Sequence, residues 1–286
     1  MKTIVVHSYK GGVGKTTSAL LLAKRALLEG RNPCVIDFDF LGSGMSDLFR
    51  LKERPRAYLE SFFLAADPGA LDVGGLLGSY TDPDLSHRTL PVILNLGEQP
   101  TPNEMARREA KMQSDMVGLM ANEPRYREIR EGTSLLLQKL EERGLDLAII
   151  DCHPGFDFVS ETLRSLADLN VYVTTLNRSD CFGLLKRINL RRLADDRLFL
   201  VVNQVEPALA NAAAFRARLE ADPLKAIEAG AIFSHHESLL REERFAAIPV
   251  SEVLRRPFHL GGTGFVPPIP PGDAVSGFCE KVLALV

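Results

Sequence analysis

Lys10-Gly11-Gly12-Val13-Gly14-Lys15-Thr16-Thr17 follows the apolar run Thr3-Ile4-Val5-Val6. The order reads as a buried strand, a phosphate-binding loop and a helix. A polyphosphate tail packs several negative charges into a few ångströms. Backbone N–H groups and the positive end of a helix dipole hold it without fixing side chains. Gly11, Gly12 and Gly14 let the backbone approach the phosphates with no Cβ in the way. Lys15 would reach the β- and γ-phosphate oxygens, and the Thr16 hydroxyl would ligate Mg²⁺. Thr17 is placed to donate to the α-phosphate. The helix expected next, Ser18 to Glu29, carries Leu20, Leu21, Ala23, Lys24 and Leu27 at amphipathic spacing and stops at Gly30.

The loop departs from the common pattern G-x-x-x-x-G-K-[ST] at one place. Tyr9 stands where that pattern has glycine, and a second lysine, Lys10, precedes Lys15 by five residues. The form K-G-G-x-G-K-[ST]-T resembles the deviant Walker A of the ParA/MinD family of SIMIBI-class P-loop ATPases, in which the first glycine is dispensable. Three later stretches fit the same resemblance. Pro33-Cys34-Val35-Ile36-Asp37-Phe38-Asp39 reads as a buried strand ending in two carboxylates, ahead of Gly42-Ser43-Gly44. The resemblance to the family's D-x-D segment implies that Asp39 orients the attacking water and that Asp37 lies near the Mg²⁺ shell. Leu147-Ala148-Ile149-Ile150-Asp151 is an apolar run into an aspartate, as in a Walker B strand. Asp151 is then implied to hold the Mg²⁺ shell. Cys152-His153-Pro154-Gly155 resembles the family's switch II, with His153 where a proline is usual, and Gly155 is implied to sense the γ-phosphate. His153 beside Asp151 also invites a metal or general-base role; it is read instead as a variant switch residue, because phosphoryl transfer depends on positioning more than on a strong base. Leu198 to Val205 is a strand-like run in which Asn203 is implied to read the adenine edge, since an amide offers a donor and an acceptor together. Ala247-Ile248-Pro249-Val250-Ser251-Glu252 resembles the loop that packs on the base, with Pro249 at its turn.

The resemblance spans most of the chain and lies nearer the ParA branch than the MinD branch. It implies Mg²⁺-dependent, slow ATP hydrolysis in a homodimer that forms on ATP binding. Lys15 and Asp39 act within one subunit. Lys10 reaches the partner's phosphates and neutralises charge on the transferring group, like an arginine finger in trans. A partner protein that stimulates hydrolysis is implied too.

Composition agrees. The chain has 286 residues, of which 45% are hydrophobic, so it is long enough to bury a full core as one domain. A net charge of −3 predicts no strongly basic surface overall. Cys34, Cys152, Cys181 and Cys279 lack C-x-x-C spacing, which argues for a reducing cytoplasm and against a disulfide framework or zinc site. The first strand begins at residue 2, leaving no room for a secretory signal, and no apolar run approaches the roughly 20 residues of a membrane helix.

Expected strands near 2–8, 33–39, 90–95, 145–151, 169–176 and 198–204 alternate with helical stretches. The predicted fold is therefore α/β: a mostly parallel twisted sheet with helices on both faces, the nucleotide lying at the carboxyl ends of the strands. Residues 1–286 are read as one P-loop domain with a helical variable region at about 52–144. Within it, 103–121 and 125–143 look helical. Their many cations are balanced by glutamates and aspartates, as on a solvated, salt-bridged face. A last helix is expected over 274–286.

Three surfaces compete for what such a switch would act on. The helical stretch 180–194 places Lys186, Arg187 and Arg191 on one face opposite Phe182, Leu185 and Leu193. By likeness to ParA proteins, those cations offer phosphate contacts for non-specific DNA binding in the ATP dimer, with steep salt dependence. A MinD-like membrane role is disfavoured, because the final eight residues carry one lysine and no basic rim. An assembly or targeting factor with a protein client is the third reading. Met105, Met112, Met116, Leu119 and Met120 would line the client groove.

Overall fold

The apolar runs that read as buried strands form the middle of one sheet. A computed structural model of the chain describes residues 1–40, 45, 55–81, 88–95, 126–155, 157–177, 180, 197–206, 213, 242–250 and 273–286. The strands are β1 (Lys2–His7), β2 (Pro33–Phe38), β3 (Leu77–Thr81), β4 (Thr89–Ile93), β5 (Leu147–Cys152), β6 (Leu169–Thr174), β7 (Leu198–Val205) and β8 (Phe245–Pro249). They lie side by side in the order β3-β4-β2-β5-β1-β6-β7-β8. Every pairing is parallel except β3 with β4. The described helices are α1 (Lys15–Leu28), α2 (Leu59–Phe63), α3 (Tyr126–Glu141), α4 (Phe158–Leu166) and α5 (Ala274–Leu283). The architecture is α/β, as predicted. None of the described helices is long and apolar enough to cross a membrane.

β2, β5 and β6 are buried along their whole length. Such strands need apolar residues on both faces, because helices cover both sides of a parallel sheet. Alternation divides the core in two. Ile4, Val6, Val35, Ile149, Val171 and Val201 face one way, against Leu20, Leu21 and Leu27 of α1 and Phe278 and Val282 of α5. Val5, Ile36, Ala148 and Ile150 face the other way, against Ile129, Leu136 and Leu140 of α3 and Val159 and Leu163 of α4. Each such side chain contributes roughly 1.5–3 kcal/mol by leaving water.

Helix ends follow local chemistry. Gly14 precedes α1 with φ 97°, and no side chain caps that end. At the other end Gly30 takes φ 84°, its N–H donating to the Leu27 carbonyl while Arg31 N–H donates to that of Ala26. This is a Schellman closure, and it needs a residue that tolerates a left-handed backbone. α4 starts with a reciprocal cap between Asp157 and Ser160.

Two strands escape the sequence reading. β3 is a half-buried edge strand, Leu-Gly-Ser-Tyr-Thr, whose alternation is too short and polar to stand out. β8 covers 245–249, so the residues read as a base-packing loop begin inside a parallel edge strand. The predicted helix at 103–121 lies outside the described residues, as does that at 180–194 beyond Asp180.

Candidate nucleotide site

The site grows from β1. Its last residue, His7, leads into the loop at 8–14, and α1 begins at Lys15. After β1 the chain crosses to β2 on one side, while β5 feeds β6 on the other side of β1. The crevice at this change of direction lies at the carboxyl ends of the strands, where parallel sheets bind ligands. β1, β2 and β5 deliver the loop, Asp37 and Asp151 to that edge. Register pairs Val6 with Asp151 and Asp151 with Asp37.

Thr16 Oγ1 donates to Asp151 Oδ2 at 2.5 Å. The other carboxylate oxygen, Asp151 Oδ1, is buried with no hydrogen-bond partner. An unspent buried acceptor beside a hydroxyl is a donor set suited to a hard divalent cation such as Mg²⁺. Burial pushes the Asp151 carboxyl up to about 6, while Lys15 and the Thr16 hydrogen bond oppose that rise. Lys15 itself is buried. Asp37 is fully buried and its carboxyl is raised, first by burial and then by the neighbouring Asp151. Its two oxygens accept the N–H groups of Asp39, at 3.0 Å, and Met45, at 2.9 Å. Asp37 thus shapes the turn after β2. Lys10, Gly11 and Gly12 are exposed on the loop, Val13 is buried and Thr17 is half-buried.

Asn203 comes from the end of β7. Its Nδ2 donates to the Val13 carbonyl at 2.8 Å, and its Oδ1 accepts from Gln204 N–H at 2.9 Å. It presses so close to the loop that a Cβ at Gly14 would lie 2.3 Å from Asn203 Nδ2. Gln204 takes φ 59° where the β7–β8 pairing shifts register. The shift sets Pro249 opposite Val205, so Asn203 and Pro249 end neighbouring strands at the same edge.

The segment after β5 closes on the loop. Gly155 N–H donates to the Ser8 carbonyl at 3.0 Å, and Ser8 Oγ donates to the Lys10 carbonyl at 2.6 Å. His153 Nδ1 lies 3.1 Å from Asp39 Oδ1, and its Nε2 lies 3.7 Å from Asp157 Oδ2. Asn95, buried just past β4, donates its Nδ2 to the Asp39 carbonyl at 2.7 Å. Sequence reasoning passed over Ser8, Asn95 and Asp157. A polar residue ending or following an apolar strand was the available signal for the first two, and Asp-x-x-Ser ahead of a helix for the third. Among the described residues the structure brings together the loop, Asp37, Asp39, Asp151 and Asn203, while Pro249 ends β8 beside β7. Lys186, Arg187 and Arg191, Gly42-Ser43-Gly44 and the methionine stripe lie outside the described residues.

Comparisons with known proteins point the same way. A ParA family model, described as NUBPL iron-transfer P-loop NTPase, matches residues 1–66. That range holds β1, the loop, α1, β2 with its Asp37, and Asp39 just after it. A putative septum site-determining protein MinD from Oltmannsiellopsis viridis is 26% identical over 176 residues, which is 61% of this chain. The match spans only 45% of that relative's length. Among solved structures, the cell division ATPase MinD of Pyrococcus furiosus superposes with a TM-score of 0.60 at 17% identity, covering 100% of this chain and 99% of its own. An ATP complex of a McdA variant from Cyanothece gives 0.59 at 17% identity over 90% of this chain and 86% of its own. A putative plasmid partition protein of Borrelia burgdorferi bound to AMPPNP gives 0.57 at 17% identity over 100% and 99%. At such identities the likeness is one of fold.

Proposed function

We propose that the chain is a P-loop NTPase of the ParA/MinD family that works as a slow, ATP-gated dimeric switch, a reading supported by the ParA family model over residues 1–66. The observation that carries the reading is the Thr16–Asp151 hydrogen bond beside buried Lys15, with one Asp151 oxygen left unspent. A hydroxyl, a carboxylate and an ammonium converge there under a glycine loop at a helix N-terminus, the arrangement a Mg²⁺-bound triphosphate needs.

The loop from Gly11 to Thr17 binds the phosphates, with Lys15 on the outer ones. Thr16 and Asp151 hold Mg²⁺, Asp37 supports their edge of the site, and the cation when bound neutralises phosphate charge. Asp39 accepts a hydrogen bond from the attacking water and orients it. Lys10, exposed on the loop, serves the partner subunit's phosphates. Asn203 and Pro249 flank the base. In this reading 1–286 is one domain with a variable region at 52–144, the protein is cytoplasmic, and a partner protein stimulates hydrolysis. The cargo surface of the dimer is the basic face of Lys186, Arg187 and Arg191, which binds DNA without sequence preference. α5 favours this over a membrane role, since Val275, Phe278, Cys279, Val282 and Leu283 are buried in the fold.

The test is solution mass by light scattering. MgATP should convert monomer to dimer, and duplex DNA should join only the ATP form, with affinity falling steeply as salt rises. Lys15→Ala should stay monomeric. Asp39→Ala should dimerise on ATP and fail to hydrolyse it. A mass that ignores ATP overturns the dimeric switch; wild-type turnover in Asp39→Ala overturns the role of Asp39.

A further inference from the structure

Position 153 is where the family resemblance puts a proline, and this chain has a histidine. Its imidazole sits between two carboxylates, Asp39 at 3.1 Å from Nδ1 and Asp157 at 3.7 Å from Nε2. An ionised carboxylate can only accept, so the Nδ1–H is the donor toward Asp39. The side chains of His153 and Asp39 are 17% and 19% exposed, which limits competition from water.

The rest of Asp39 is fixed through its backbone. Its N–H donates to Asp37 Oδ1 at 3.0 Å and its carbonyl accepts from Asn95 Nδ2 at 2.7 Å. Neither bond sets the direction of the side chain; the His153 contact does. His153 in turn stands against a rigid neighbour. Asp157 caps α4, accepting from Ser160 N–H at 2.7 Å while its own N–H donates to Ser160 Oγ at 3.1 Å. The Nδ1 contact thereby ties the loop after β5 to the end of β2, while Asp157 at the start of α4 stands 3.7 Å from Nε2, beyond hydrogen-bond distance.

We propose that His153 is a positioning residue for Asp39. It fixes Oδ1 and leaves Oδ2 to orient the attacking water. The inference rests on the reading of Asp39 as the water-orienting residue. In the step served, the water oxygen bonds to the γ-phosphorus while the bond from that phosphorus to the bridging oxygen breaks toward ADP. The water proton leaves with the phosphate, and Asp39 supplies orientation by accepting a hydrogen bond. A proline at 153 has no ring N–H to give Asp39, so this clasp belongs to the histidine.

The experiment compares steady-state ATP hydrolysis of the unaltered chain with His153→Ala, His153→Asn, Asp39→Ala and Lys15→Ala. His153→Ala should lose about tenfold in kcat, because a freed carboxylate misplaces the water. Its KM for ATP should stay within about twofold, since no ground-state contact is lost. Asn places an amide N–H near the Nδ1–H and should recover most of the rate. Wild-type kcat in His153→Ala, or an Asn variant no better than Ala, would each overturn the proposal. If the unaltered chain shows no turnover above Lys15→Ala, the hydrolysis reading fails and this role fails with it. If the unaltered chain turns over, Asp39→Ala is dead and His153→Ala keeps the full rate, the role of Asp39 stands and only the clasp is refuted.

Discussion

Asn203 and Gly14 are 189 positions apart in sequence and in contact in space. Asn203 braces the loop by donating to the Val13 carbonyl, and the missing Cβ of Gly14 makes room for that amide. Gly14 also holds φ 97°, a backbone region that costs an L side chain roughly 1–2 kcal/mol. Gly14→Ala therefore carries two penalties, the strained backbone and a collision at 2.3 Å. The variant should lose at least ~2 kcal/mol of stability, combining the backbone term with the lost hydrogen bond. Urea unfolding measures this. Adding Asn203→Ala should return part of the loss by removing the collision, and the backbone part should remain. A double variant no more stable than Gly14→Ala would show that the two residues do not meet.

At the scale of elements, α5 shows how much a helix can be worth away from the site. Phe278 is buried and packs on Phe199 of β7, ring centroids 6.1 Å apart. Phe278→Ala should cost about 3–5 kcal/mol, the range for a large core truncation, and should lower the urea midpoint without changing the slope. A loss near zero would mean that α5 is not docked. This helix was legible from sequence, because Asp273 begins it and apolar residues recur at helical spacing. β1, β2, β5, β6 and β7 were legible too, since continuous apolar runs such as Leu147 to Ile150 admit few other readings. β3 and β8 were not. Edge strands bury only part of their surface, and Gly78, Ser79 and Pro249 belong to turn vocabulary as readily as to strands. The loop and Asp151 could be read because phosphate chemistry restricts residue type and order. The contact of His153 with Asp39, and the approach of Asp157, could not, because nothing local announces that positions 39, 153 and 157 converge. Only the parallel pairing of β2 with β5 brings them together.

For the whole molecule, binding and stability are one equilibrium. A ligand held by the native chain alone stabilises it by about 2.7 kcal/mol at one hundred times its dissociation constant. For a chain of this size each kcal/mol raises Tm by roughly 2–4 °C. Saturating MgATP should therefore lift Tm by about 5–10 °C. Chelating Mg²⁺ should remove much of that gain and all of the hydrolysis, and Lys15→Ala should show no gain. Differential scanning fluorimetry with and without EDTA reads all three; an equal rise with EDTA would argue against a cation on Thr16 and Asp151. The hydrogen bond from Gly155 to Ser8 bears on which nucleotide wins. Any ligand oxygen that takes the Gly155 N–H must first displace the Ser8 carbonyl. Discrimination at that point is thus a difference between two hydrogen bonds, not the strength of one. A bond to a charged phosphate oxygen is worth about 1.5–3 kcal/mol and the displaced carbonyl bond about 1, so this N–H contributes at most about thirtyfold in preference between nucleotides. Larger selectivity has to come from contacts that are made only when the ligand is present.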